Sequence, residues 1–219
     1  MPLATPPATP SATTTVTPDR FAQGLTYADF LAKATINHDK FEKNYQSVPL
    51  TEEDVAFFRR AAAAPQGPAK ILALAEAWCG DVYRELPTMA RIAEATGMEL
   101  RVFPRDENPD IMDEFLSNNG KSRAIPVFVF YTADLQYITR FVERSASAHA
   151  GLAAAMDEAR AKFNLPSTAT FGNLPDADRQ PFLREVIAGI QPHSSQWRKD
   201  AIQEIRELLS TALKIRNAG

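Results

Sequence analysis

Cysteine is nearly absent: Cys79 is the one thiol in 219 residues. An intrachain disulfide and a cysteine-based zinc cluster are excluded, and such cysteine usage suits a reducing compartment. If the thiol has a use, that use is chemical. Neither sign of charge dominates, with 24 Lys and Arg against 27 Asp and Glu and a net charge of −3. No field favours nucleic-acid phosphate or an acidic membrane surface, so neither is an expected partner. No apolar run approaches the roughly 18 residues of a membrane helix, and the first residues carry neither a basic n-region nor an apolar h-region. The reading is a cytoplasmic protein. The three histidines, His38, His149 and His193, are scattered. His38 and Glu42 can share a helical face, but two candidate ligands without a third make no metal site. None of the nine glycines falls in a phosphate-binding loop. No metal and no bound cofactor are expected.

What is present suffices for a sizeable core, since 45% of the residues are apolar. The first eighteen residues hold five prolines and six threonines and almost no large apolar group. They cannot offset the entropy of ordering, so residues 1–20 are expected to be a structureless Thr/Pro-rich tail. Thr26 with Asp29, and Thr51 with Asp54, then give two capping-box-like starts. Two helices are expected in an N-terminal extension over 21–68, which Pro65, Gly67 and Pro68 bring to a close.

From Lys70 the pattern changes. Ile71-Leu72-Ala73-Leu74-Ala75 is a short apolar run that suits a strand buried on both faces. Val82, Leu86, Met89, Ala90, Ile92 and Ala93 then recur at helical spacing until Gly97 supplies a stop. Residues 100–103 read as a second strand, and Asn108-Pro109 opens a helix carrying Ile111, Met112, Phe115 and Leu116 up to Asn118-Asn119-Gly120. Two further apolar runs, 127–131 and 137–142, have so short a link that they form an antiparallel hairpin. The order predicts an α/β fold, a mixed sheet flanked by helices on both faces, with its core over 69–150. An alanine-rich helix is expected near 147–163. Helices near 176–190 and 195–216 belong to a C-terminal extension over 151–219. In the last helix Ala201, Ile205, Leu208, Ala212 and Ile215 form a stripe two heptads long, too short for a coiled coil, which favours docking onto the chain's own core. A monomer or weak homodimer is the expected state.

Several rare residues meet in Trp78-Cys79-Gly80-Asp81-Val82, at the join between the first buried strand and its helix. This segment resembles the active-site turn of thioredoxin-like proteins, which place a tryptophan, a cysteine and a glycine at the same junction. Pro87, eight residues after Cys79, matches the kinking proline of that family's active-site helix. Arg123-Ala124-Ile125-Pro126 is similar to the segment whose cis-proline faces the cysteine. The resemblance covers roughly 70–150. Together with Arg105-Asp106-Glu107-Asn108, the turn is similar to that of a bacterial-type thioredoxin-like subfamily. The resemblance implies a thioredoxin-like fold with extra N- and C-terminal helices and a catalytic Cys79. It also implies a substrate groove made by Trp78, Gly80, Asp81, Ile125 and Pro126, where the Ile125 backbone is available to pair with an extended substrate strand.

The departures from that pattern limit the chemistry. Val82 stands where thioredoxins keep the second, resolving cysteine, and valine cannot attack a mixed disulfide. Ala73 stands where they keep a buried acid, and Glu76 is the nearest carboxylate on the strand side. Glu76 also occupies the position, three residues before the cysteine, where peroxiredoxin chemistry wants a threonine. A helix N-terminus favours a thiolate by roughly 0.3 to 1 kcal/mol. Asp81 opposes this by a similar amount, and Arg84, three residues further on, can pair with Asp81 and restore part of the gain. A thiol only modestly more acidic than an ordinary cysteine is expected. Blander readings stand beside these: Cys79 as a small core side chain, Trp78 as packing, Asp81 as a helix cap, and the acidic cluster at 106–114 as a solvated helix start.

Three functions fit the residues. One is a monothiol redox site at Cys79, exchanging with a protein or small-molecule disulfide and resolved by an external low-molecular-weight thiol. The alternative is a catalytically weak binding or adaptor protein that uses the Ile125-Pro126 groove. A third is a redox sensor in which Cys79 is reversibly capped.

Overall fold

The computed structural model describes residues 14–216. Four helices precede the first strand: α1 (Pro18–Ala22), α2 (Tyr27–Lys33), α3 (His38–Gln46) and α4 (Glu52–Ala63). Then follow β1 (Lys70–Ala75), α5 (Gly80–Thr96), β2 (Glu99–Pro104), α6 (Pro109–Met112), β3 (Val127–Tyr131) and β4 (Tyr137–Val142). The chain ends in α7 (Ala146–Lys162), α8 (Asp176–Ile190) and α9 (Ser194–Leu213). Among the described residues no helix is long and apolar enough to cross a membrane.

The sheet order is β2-β1-β3-β4, mixed as expected. β1 runs parallel to β2, with Ala73 opposite Val102, and antiparallel to β3, with Leu72 opposite Val129. The β3–β4 pair is an antiparallel hairpin with Phe128 opposite Phe141. Ile71 to Ala75 and Val127 to Tyr131 are all buried, which is why both central strands read as unbroken apolar runs. β2 would be an open edge. It is covered by Leu25, whose N–H and C=O exchange hydrogen bonds of 2.8 Å with Val102. Gly24, just before, lies so close that a Cβ would sit 2.5 Å from the Phe103 ring, so this crossing requires glycine.

Two expectations for the N-terminal part need correction. Two helices were expected before the core, and four are found. α1 and α3 escaped because neither shows an apolar stripe: α1 buries only Phe21, and the polar α3 buries only Phe41. The tail expected over 1–20 falls outside the described residues for 1–13. From Thr14 onward the chain is anchored instead. The Thr15 N–H and the Thr14 hydroxyl donate to Glu114 at 2.6 and 2.7 Å, Val16 is buried, and Thr17 caps α1 by accepting from the Arg20 N–H. The capping box at Thr51 and Asp54 forms as its residues predict, with bonds of 3.0 and 3.1 Å.

After β2, the helix expected to run toward 116 is only α6, followed by a 3-10 turn at Asp113–Phe115. Ile111, Met112 and Phe115 are nonetheless buried. Asn118, Asn119 and Gly120 all take positive φ and turn the chain back toward β3.

The described residues form two compact units, one of residues 14–143 with 202–216 and the other of 144–201. In the second unit, α7 and α8 close around Ala155, Ala159, Ala169, Leu174, Phe182 and Val186. Gly151 leaves room for Trp197, whose ring carbon would lie 2.2 Å from a Cβ there. In the first unit, the part of α9 from Ile202 docks on α4. Ile202, Ile205 and Leu209 are buried, and Arg206 pairs with Asp54 and Glu53, each at 2.8 Å.

Candidate functional site

β1 ends at Ala75, and Glu76 to Cys79 carry the chain into α5. Cys79 is the N-cap residue, with extended backbone angles (φ −80°, ψ 128°). Its N–H donates to the Glu76 carbonyl at 3.0 Å, and its own carbonyl accepts from the Tyr83 N–H at 3.2 Å. The sulfur therefore sits where unmatched helix N–H groups cluster. Cys79 is half-buried and in no disulfide. Its Sγ donates to the Ile125 carbonyl at 3.6 Å, and the Ile125–Pro126 peptide bond is cis. The thiol is thus directed at the carbonyl of the cis peptide.

The surroundings of the sulfur are polar on one side and sealed on the other. Val82 is fully buried, one turn into α5. Asp81 is buried and paired with Arg84, the partner its spacing predicts. Trp78 is 52% exposed, and the Arg105 guanidinium lies 5.1 Å from its ring centroid. Arg105 also pairs with Asp106 at 2.7 Å and donates to the Arg123 carbonyl at 3.2 Å. Arg123 in turn forks onto Asp113 at 2.9 and 3.0 Å. The three arginines nearest the turn in sequence and contact, Arg84, Arg105 and Arg123, each face a carboxylate.

Of the six predicted site residues, Cys79, Ile125 and Pro126 come together directly. Trp78 stands exposed beside them. Gly80 and Asp81 open α5, and a Cβ at Gly80 would meet only the Tyr83 hydroxyl, at an ordinary 3.5 Å, so no close approach demands glycine there. Ala73 is fully buried in β1, so that position carries no acid, while Asp81 and Glu85 of α5 are buried carboxylates. Glu76 spends a carboxylate oxygen on the Asp106 N–H at 2.9 Å. Burial, the largest influence, raises its pKa, with Asp106 and Glu107 adding to that and the Asp106 N–H and Arg105 opposing it.

The acidic cluster is largely solvent-exposed, as a solvated helix start would be, and several of its carboxylates also tie down neighbouring segments. Asp110 meets Arg20 at 3.4 Å, Asp113 holds Arg123, and Glu114 anchors Thr14 and Thr15. Sequence reasoning also missed two asparagines of the α3 region. Asn37 Nδ2 donates to the Ala77 carbonyl at 2.9 Å, and Asn44 Nδ2 to the Tyr83 carbonyl at 2.7 Å. The second had a detectable cue. Pro87 lacks an N–H, so the carbonyl four residues earlier needs another donor, although nothing local names the donor.

The comparisons agree with this geometry. The thioredoxin family model matches residues 24–160. No curated protein matches the chain. A protein of unknown function from Pseudomonas aeruginosa, solved by crystallography at 1.5 Å, superposes with a TM-score of 0.56 at 14% identity, covering 90% of this chain and 99% of that one. An HIV epitope-scaffold crystal structure gives the same TM-score, identity and coverage. At such identity these two structures speak for the fold alone. With a mixed four-stranded sheet, a cysteine at the β1–α5 join and a family match over more than half its length, the chain belongs to the thioredoxin family.

Proposed function

We propose that the protein performs monothiol thiol–disulfide exchange at Cys79. The Cys79 thiolate attacks one sulfur of a disulfide, forming a Cys79 mixed disulfide and releasing the other sulfur as a thiolate. Val82 offers no second thiol, so an external thiol, deprotonated, attacks the mixed disulfide. A new disulfide leaves and the Cys79 thiolate is restored. No bound cofactor enters, and the partner is a protein or small-molecule disulfide. The observation that carries this reading is the half-buried Cys79 sulfur at the start of α5, 3.6 Å from the Ile125 carbonyl. A cysteine placed only for packing would lie sealed in the interior.

Trp78, Gly80, Asp81, Ile125 and Pro126 are the proposed substrate contacts. Trp78 presents an exposed ring at the entrance, and the Ile125 carbonyl supplies an acceptor beside the sulfur. The second reading, a binding or adaptor protein using the Ile125-Pro126 segment, is favoured by a different observation. Val82 and Ala73 are both fully buried apolar groups, so the positions that hold the resolving thiol and the buried acid in thioredoxins carry neither.

Turnover of insulin or of a small disulfide in the presence of glutathione separates the two. Exchange at Cys79 requires the wild type to outpace Cys79→Ser clearly, and a mixed disulfide at Cys79 should be captured by mass spectrometry. Equal rates would dismiss catalysis and leave the binding role.

A further inference from the structure

We propose that Asn37, which lies before the Cys79-bearing segment in sequence, is a positioning residue for that cysteine: by holding the Ala77 carbonyl, its amide sets the direction and the acidity of the thiol. The inference rests on reading Cys79 as a reacting sulfur.

An asparagine just ahead of a helix ordinarily caps that helix with its side chain. Asn37 precedes α3 and makes no such bond. It takes the left-handed conformation instead, with φ 63°, and its Nδ2 donates at 2.9 Å to the carbonyl of Ala77, forty residues away. Asparagine is one of the few side-chain-bearing residues that adopts this backbone readily. The local capping role is left empty, and the amide is spent on the turn that carries the sulfur.

Other bonds also fix that turn, among them the Asp106 N–H on the Glu76 carboxylate and the Arg105 guanidinium over Trp78. The Glu76 carbonyl accepts from the Cys79 N–H, and the Cys79 sulfur donates to Ile125. The Ala77 carbonyl, two residues before the sulfur, takes its donor from Asn37. An N–H on that oxygen offsets its partial negative charge. Without it, an uncompensated carbonyl dipole lies in the same turn as the forming thiolate, in a half-buried setting where such charges act strongly. The turn also loses this side-chain tie between Ala77 and the residue before α3.

The titratable groups on the elements that meet there are the same with and without the amide. They include Glu76 after β1, Asp81, Tyr83, Arg84 and Glu85 on α5, Arg105, Asp106 and Glu107 after β2, Arg123 before β3, and His38, Asp39 and Lys40 on α3. A change on altering Asn37 alone therefore reports the amide.

The test is the rate of iodoacetamide alkylation of Cys79 against pH, in the full chain, for wild type and Asn37→Gly. Glycine keeps the left-handed backbone and removes only the amide. The midpoint should rise by about half a pH unit, which is roughly a threefold slower reaction below the midpoint. The thermal midpoint reports separately whether the fold is retained. An unchanged alkylation profile in a folded variant overturns the proposal. If Asn37→Gly fails to fold, Asn37→Asp carries the same test: it is isosteric, compatible with the same backbone and unable to donate when ionised. Because the new carboxylate repels a thiolate by itself, the rise is read at low and high salt: a rise that persists where the added charge is screened supports the amide, and one that vanishes, or no rise, overturns the inference. Alkylation needs no disulfide partner, so failure of the exchange activity and failure of this inference give different results.

Discussion

Asn44 Nδ2 donates to the Tyr83 carbonyl at 2.7 Å, and Tyr83 is the residue whose helical partner would be the N–H that Pro87 lacks. A proline inside a helix removes one bond and crowds the carbonyl four residues back. α3 supplies the missing donor from outside α5. Phe41 and Lys40 of the same helix add to this: Phe41 packs edge-on to the Tyr83 ring at 6.3 Å, and the Lys40 ammonium lies 4.8 Å from that ring's centroid. α3 is therefore the element that lets the thiol-bearing helix tolerate its proline.

Removal of that donor should be felt most while the proline is present. Asn44→Ala should cost about 1 to 3 kcal/mol, the range for orphaning a buried acceptor. In a Pro87→Ala background, residue 87 regains its N–H and can serve Tyr83 itself, so the same change should cost less. Urea unfolding of the four proteins of the cycle measures the difference, expected at 0.5 kcal/mol or more. Equal costs in the two backgrounds would show that Asn44 and Pro87 act independently.

Much of this site was readable in the residues, and the unreadable part has a common cause. β1 and β3 announced themselves because strands buried on both faces must be apolar throughout. The junction at Trp78-Cys79-Gly80 and the Ile125-Pro126 segment were legible as local strings. α1 and α3 were not, since each buries a single aromatic and leaves no periodic stripe. Asn37 and Asn44 were invisible for a different reason: each acts on a carbonyl about forty residues away, and no local pattern encodes such a bond. The carboxylates between 106 and 114 are largely exposed as they read, but the tethers of Asp110 and Glu114 were hidden, because their partners, Arg20, Thr14 and Thr15, come from a segment whose composition suggested no structure at all.

Arg206 ties α9 to α4 through two carboxylates, and one of them is already engaged. Asp54 closes the capping box at Thr51 and accepts from Arg206 at 2.8 Å. The Arg206 guanidinium also lies 5.1 Å from the Phe57 ring centroid. Both Arg206 and Asp54 are buried. Arg206→Ala strips the partner from a buried carboxylate and should destabilise the protein by about 3 to 5 kcal/mol. Adding Asp54→Asn, which keeps the shape without the charge, should recover part of that loss. Thermal unfolding of the single and double variants reads both effects, and a double variant weaker than the sum of its parts would refute the buried-charge explanation.

Glu76 makes stability depend on pH with a definite sign. Its folded-state pKa is raised, first by burial, so the folded protein holds the proton more tightly than the unfolded chain does. Such a group adds stability below its unfolded pKa, and that addition is lost as pH rises through the folded value. Glu76→Gln keeps an oxygen for the Asp106 N–H and removes the titration. Relative to this variant, wild type should lose ground as pH climbs from below about 4.3, the ordinary glutamate value, toward neutrality. Urea midpoints at pH 4 and pH 7 check it. A difference between the two proteins that does not change with pH would contradict the assignment.

Val82→Cys tests the geometry of the turn by adding what it lacks. Positions three apart on a helix have side chains about 5 to 6 Å apart at Cβ, and a disulfide needs Cα atoms within about 4.4 to 6.8 Å. Cys79 opens α5 with its sulfur near the helix N-terminus, and Val82 is three residues on and fully buried. The smaller cysteine leaves some unfilled volume there, so a modest loss of stability in the reduced protein, about 1 kcal/mol, is expected. Mild oxidation should then remove two hydrogen atoms, two protons with two electrons passing to the oxidant, a loss of about 2 Da read by intact mass, since the new thiol can reach the old one. Insulin reduction with dithiothreitol should become faster than in wild type, because the second thiol now attacks the mixed disulfide from within the chain. A variant that folds, stays reduced under the same oxidant and gains no reductase activity would mean that the sulfur of residue 79 does not face the first turn of its own helix.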